Sequence, residues 1–113
     1  MTLPLLCVCA VLLGLCLAQS ADHSAYRCDV CDLWMEQVNT MLTPDMSTFR
    51  IEEALIQGCD TLPVDVDNPT PAESLEVDTC NVIMLQNESA VLQLLGKGYP
   101  TDVICEMVGE CSE

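Results

Sequence analysis

The chain has 113 residues, half of them hydrophobic, and carries 18 Asp and Glu against 3 Lys and Arg, a formal net charge of −15 at pH 7. That balance excludes nucleic acid as a partner, because phosphates would be repelled and no basic stripe exists to displace their counterions. It also argues against a cationic peptide drawn to surfaces by charge alone, while the periodic apolar runs argue against a disordered acidic chain.

Residues 3–18 are almost wholly apolar and carry no charged side chain, which reads as a secretory signal peptide over residues 1–18, cut before Gln19 with Cys16 and Ala18 at the recognition positions. The run is shorter than the ~18 to 20 residues of a spanning helix. Cleavage would remove Cys7, Cys9 and Cys16, leaving a soluble chain with a flexible segment over 19–25 and one domain over 26–113. Such a domain has a thin core, the circumstance in which covalent crosslinks matter most. Six cysteines remain, Cys28, Cys31, Cys59, Cys80, Cys105 and Cys111, and an even number in a short exported chain implies disulfides, with 15 pairings open. A zinc site at Cys28-x2-Cys31 lacks a second ligand pair, and a redox site lacks a strand–helix context, so neither metal nor other cofactor is expected.

Over residues 26–42, Cys28, Cys31, Trp34, Met35, Val38, Met41 and Leu42 recur at helical spacing on one arc, with Asp29, Asp32, Glu36, Asn39 and Thr40 opposite. This is an amphipathic helix, which Thr43-Pro44-Asp45 breaks. A second helix is expected from about residue 47 or 48 to 58, with Phe49, Ile51, Ala54, Leu55 and Cys59 among its apolar positions and Gly58 near its stop. Residues 60–79 hold Pro63, Pro69 and Pro71 with six acids and no base, and are expected to be an acidic, proline-stiffened loop. Asp65, Asp67, Glu73 and Glu76 within it have offsets reminiscent of a calcium loop, but Pro69 and Thr70 stand where a ligand and the turn glycine belong, so a solvated loop is expected.

A third helix over 80–95, rich in Val82, Ile83, Met84, Leu85, Val91, Leu92, Leu94 and Leu95, ends at Gly96-Lys97-Gly98. A fourth, short helix opens near Pro100 and carries Val103, Ile104, Cys105, Met107 and Val108. The chain is therefore all-α, four to five short amphipathic helices around a thin shared core. Most individual apolar residues are ordinary core, but the set can open like a clasp and offer an apolar face to lipid or to a second copy.

The order Cys28-x2-Cys31, a gap of 27, Cys59, Cys80, a gap of 24, Cys105-x5-Cys111 resembles the saposin-like (saposin B type) family over nearly the whole of residues 26–113. Local phrases agree: Ile51-Glu52-Glu53-Ala54-Leu55 before Cys59 and Leu62-Pro63, and Tyr99-Pro100-x3-Ile104-Cys105 before Cys111. The resemblance implies nested disulfides, Cys28–Cys111, Cys31–Cys105 and Cys59–Cys80, and two helical hairpins. Cys28 and Cys31 lie one turn apart, so both can meet one neighbouring helix, which the nested order makes antiparallel. The connection of 20 residues between Cys59 and Cys80 is longer than the family's usual one.

The resemblance also implies membrane phospholipids or sphingolipids as partners, homodimers or larger oligomers, and roles as lipid carrier, hydrolase activator or pore former. Trp34, Met35, Val38, Leu42, Leu55, Ile83, Leu94, Leu95 and Met107 are the candidate lipid contacts. No catalytic set is legible: the single histidine, His23, lies outside any cysteine-flanked helix, and acidic residues on amphipathic helices form a solvated face. A secreted protein-interaction module using the same fold is the alternative. Asn87-Glu88-Ser89 is a formal N-glycosylation acceptor, but Asn87 shares its side with Ile83, Ala90 and Leu94, where a glycan would sit awkwardly. The acidity implies stronger membrane binding in an acidic endosomal or lysosomal compartment, where many of the 18 carboxyls would be neutral. Non-reduced peptide mapping is expected to return the three nested pairs; a Cys28–Cys31 linkage would contradict the architecture.

Overall fold

The computed structural model describes residues 11–112, with side chains from Ser24 onward. These residues form four α-helices and no strand: α1 (Val11–Met41), α2 (Thr48–Gly58), α3 (Pro71–Gly96) and, after a 3-10 turn over Thr101–Val103, α4 (Ile104–Met107). The signal peptide expected over 1–18 falls outside the described residues across 1–10. Residues 19–25, expected to be flexible, are helical within α1. Ala, Gln, Ser, Asp and His follow one another there without glycine or proline, so nothing interrupts the backbone ladder.

The loop expected over 60–79 is shorter, because α3 begins at Pro71 rather than at Cys80. Thr70 caps it: its hydroxyl accepts from the Glu73 N–H at 3.1 Å, and the Glu73 carboxylate accepts from the Thr70 N–H at 2.9 Å. Pro71 stands at the first helical position, where a missing N–H has no partner to lose. Asp65 is spent on its own turn, accepting from the N–H groups of Asp67 and Asn68 at 3.1 and 3.2 Å.

The other boundaries have similarly local causes. The Ser47 hydroxyl caps α2 by accepting from the Arg50 N–H at 3.2 Å. Asp45, with φ 66°, completes the turn that Pro44 opens between α1 and α2. At the end of α3, Gly98 takes φ 95°, which lets the Tyr99 N–H reach the Leu94 carbonyl at 3.1 Å and close the helix.

α1 and α2 run antiparallel, since Trp34 meets Gly58 while Met41 shares a cleft with Arg50, Ala54 and Gln57. α2 and α3 are antiparallel too, joined at Cys59–Cys80 and meeting again where Ile51 and Leu95 line one cleft. The core lies between them: Val30, Cys31, Trp34, Met35, Val38, Ala54, Leu55, Ile83, Met84, Val91 and Ile104 are buried. Trp34 is its centre, fully buried, with Nε1 donating to the Leu55 carbonyl at 2.9 Å. That carbonyl belongs to the last four residues of α2, which have no intrahelical donor.

The disulfides are Cys28–Cys111, Cys31–Cys105 and Cys59–Cys80, the nested order implied by the resemblance. They divide the domain into two arms. The first two tie α1 to the segment around α4 and form the outer arm; the third ties α2 to α3 and forms the inner arm. The 42–47 and 97–100 segments connect the arms.

A Cβ built on Gly58 would stand 2.7 Å from Trp34 Cδ1 and 2.9 Å from Val38 Cγ2. Both neighbours are fully buried, and Trp34 is further held by its hydrogen bond. Gly58→Ala is therefore expected to destabilise by about 1 to 2 kcal/mol, the overpacking cost less the gain in helix propensity. A lower urea midpoint measures it; a midpoint equal to or above wild type would mean that the two arms do not press together at this point.

Candidate functional site

The site follows from the division into arms. Each disulfide lies within one arm, so contact between arms is non-covalent along a seam whose two sides are α1 and the α2/α3 pair. At one end of the seam lies a cleft of about 350 Å³ lined by Leu42, Met46, Thr48, Ile51, Leu95 and Gly98. Both connecting segments contribute to it, so it lies where the chain passes from one arm to the other. A second cleft of about 260 Å³ adjoins it through Met46 and continues along Met41 and Ala54. Leu42, Met46, Ile51 and Leu95 supply the deformable apolar part of this end, and Thr43, Asp45 and Thr48 its polar part.

The candidate lipid contacts separate into three groups. Trp34, Met35, Val38, Leu55 and Ile83 are buried in the core rather than turned to solvent, Met35 beside the 3-10 turn of its own arm. Leu42, Leu94 and Leu95 are half-buried, Leu42 and Leu95 at the first cleft, and Met107 is exposed. A second apolar set was not among the candidates: Phe49 and Ile56 on α2, and Leu75, Val82 and Leu85 on α3, all exposed, with Leu85 at 73% and Phe49 at 65%. At about 100° per residue, Phe49 and Ile56 stand well round the helix from Leu55, Leu75 and Val82 flank Ile83, and Leu85 lies nearly opposite it, so this set sits off the buried arc, and that offset on a wheel is the signal that could have found it. No helix among the described residues is long and apolar enough to cross a membrane.

At the other end of the seam the contact is polar. The Arg27 guanidinium grips the Glu110 carboxylate through Nε at 2.9 Å and a terminal nitrogen at 2.6 Å, and the latter also donates to Gln86 Oε1 at 2.7 Å. Asn87 Nδ2 donates to Glu110 Oε2 and to the Ile83 carbonyl, both at 2.9 Å. Arg27 and Glu110 belong to the outer arm, Gln86 and Asn87 to the inner. The four side chains form a latch that closes the arms beside the Cys28–Cys111 disulfide. The ion pair is largely covered, at 19% and 11% side-chain exposure, and hydrogen bonding to Glu110 raises the Arg27 pKa further. The other two bases are exposed: Arg50 faces Glu53 at 3.6 Å, and Lys97 follows α3.

The outward face of α1 is acidic. Asp32 and Glu36 line a cleft of about 450 Å³ with Asp102 of the 3-10 turn. Desolvation, then the charges of Asp29 and Glu36, push the Asp32 carboxyl above its ordinary range. The His23 side chain lies outside the described side chains. Three disulfides are the chemistry of an oxidising compartment. Compared with family models, curated proteins and solved structures, the chain matches none.

A carboxyl whose folded pKa is raised favours the folded state when protonated, so this group opposes folding at neutral pH and the penalty fades as pH falls through its folded pKa. Asp32→Asn is expected to raise the thermal midpoint at pH 7. The gap should close below the ordinary carboxyl range, where wild-type Asp32 is protonated in both states. A gap that persists unchanged into strong acid would assign the effect to something other than ionisation.

Proposed function

We propose that the chain is a secreted, saposin-like lipid-binding protein with no catalytic activity of its own, whose arms part to set their apolar faces against the acyl chains of phospholipids or sphingolipids. Acid favours this state, in an endosomal or lysosomal compartment or at an acidified surface. The observation that carries the reading is the placement of the crosslinks: Cys28–Cys111 and Cys31–Cys105 hold one arm, Cys59–Cys80 the other. The seam can therefore open with every disulfide intact, and Trp34, Val38, Leu55 and Ile83 would then face outward. Opening in water costs about 1.5 to 3 kcal/mol for each such side chain exposed, so it needs an apolar phase to receive them.

The acid dependence rests on charge. A chain of formal charge −15 is repelled by an anionic leaflet, and protonation of carboxyls weakens both that repulsion and its own. Asp32, desolvated and beside Asp29 and Glu36, has its carboxyl pKa raised and takes up its proton more readily than an ordinary aspartate. Pairing of two opened copies, or assembly of several into a pore, is a variant of the same exposure. The second reading, a secreted interaction module, is favoured by one observation: Phe49, Leu75 and Leu85 are exposed without any opening.

Trp34 is the only tryptophan and reports the seam directly. With vesicles of anionic phospholipid carrying brominated acyl chains, the protein is expected to float with the vesicles and lose Trp34 emission at about pH 4.5, and to do neither at pH 7. Flotation without quenching would mean attachment by the outward residues and overturn the opening of the arms. Failure to float at either pH would overturn the lipid reading and leave the interaction module.

A further inference from the structure

Asn87 is both a latch residue and the acceptor of the Asn87-Glu88-Ser89 sequon, and these two roles require the same nitrogen. Both of its polar neighbours are acceptors, the Ile83 carbonyl and Glu110 Oε2, so the side-chain nitrogen faces them and each of its two hydrogens is engaged. The side chain is half-buried between α3 and the segment that carries Glu110. N-glycosylation joins this nitrogen to C1 of the first sugar of a lipid-pyrophosphate-linked oligosaccharide. The C–O bond to the pyrophosphate breaks, and one amide proton leaves with that group. The product retains a single N–H.

We propose that Asn87 is a conditional glycosylation site, in which an attached glycan and the closed Arg27–Glu110–Asn87 latch exclude one another. A sugar cannot replace the hydrogen aimed at the Ile83 carbonyl, one turn back on the same helix, unless the side chain leaves its present rotamer. It cannot replace the other without entering the space that Glu110 occupies. Either way the bond between arms at Asn87 is lost. A chain whose latch closes first keeps a bare Asn87; a chain modified first lacks the Asn87–Glu110 bond between its arms. The inference rests on export through a glycosylating compartment and not on lipid binding, so neither result of the vesicle experiment bears on it.

The test is the occupancy of Asn87 in full-length protein secreted from mammalian cells, read by intact mass before and after removal of N-glycans. Ser89→Ala abolishes the sequon while leaving Asn87 and the latch in place, and serves as the control that cannot carry the glycan. Wild type is expected to be mainly bare. Glu110→Ala, which removes the competing acceptor, is expected to raise the ratio of glycosylated to bare chain roughly tenfold, the scale of one hydrogen bond to a charged group. Ile51→Ala loosens the cleft end, about 12 Å along α3 from Asn87, and is expected to keep the wild-type ratio. Should Glu110→Ala not be secreted, the Cys28→Ser/Cys111→Ser pair, which frees the segment carrying Glu110, takes its place with the same expected rise. Equal ratios in wild type and the unlatched variant overturn the proposal, whether both are high or both low. So does a rise in Ile51→Ala as large as that from losing the latch.

Discussion

Covalent bonds in this domain hold each arm together, while packing and hydrogen bonds hold the arms to one another. Cys28–Cys111 and Cys31–Cys105 close loops with sequence separations of 83 and 74, Cys59–Cys80 one of 21. On the chain-entropy account, loops of such lengths each remove on the order of 3 to 5 kcal/mol of freedom from the unfolded chain, although nested loops share part of that gain. None of this stabilisation depends on the arms being closed. Closure rests instead on Trp34 and Val38 seated against Gly58, on the Trp34 bond to Leu55, and on the latch at the far end. A small domain thus separates two things that most cores combine: remaining folded and remaining shut.

Charge bears on the same division. With 18 acids and 3 bases, almost any element faces like charge, and the one largely covered base is used between the chain ends, by Arg27 on Glu110. The outward face of α1 accumulates Asp29, Asp32 and Glu36 without a base in reply, and desolvation first, then that crowding, displaces the Asp32 pKa upward. The penalty is carried at neutral pH and released in acid, the direction in which the proposed membrane affinity also grows.

Much of the fold was legible in the sequence, and the departures have physical causes. The apolar arc of Trp34, Met35 and Val38 identified α1 because its opposite arc is uniformly polar. On α3 the same method was weaker: Ile83, Met84 and Val91 face inward while Leu75, Val82 and Leu85 face outward, so periodicity alone did not say which arc was core. Pro71 read as a breaker, although after Thr70 and before Glu73 it is a helix start; the capping box was present and outweighed by composition. The buried position of Trp34, Leu55 and Ile83 follows from closed arms, which no local pattern encodes. The latch was invisible for a related reason, since Arg27 and Glu110 are 83 residues apart and only the folded chain brings them together.

The two ends of the seam differ in a way that would give the proposed opening a direction. Both connecting segments meet at the cleft around Leu42, Met46 and Leu95, where the chain is continuous from one arm to the other. Arg27 lies about 22 Å along α1 from Leu42, at the end where no chain passes between arms and where polar groups do the joining. Polar contacts at that end exchange readily with water or with a headgroup, whereas the packing around Trp34 exchanges only with another apolar phase. Opening that starts at the latch therefore meets its cheaper step first, and each later step exposes side chains that require a hydrocarbon partner. That order gives the proposed lipid function its selectivity: water can loosen the latch, but only an apolar surface can replace what Trp34, Leu55 and Ile83 give up.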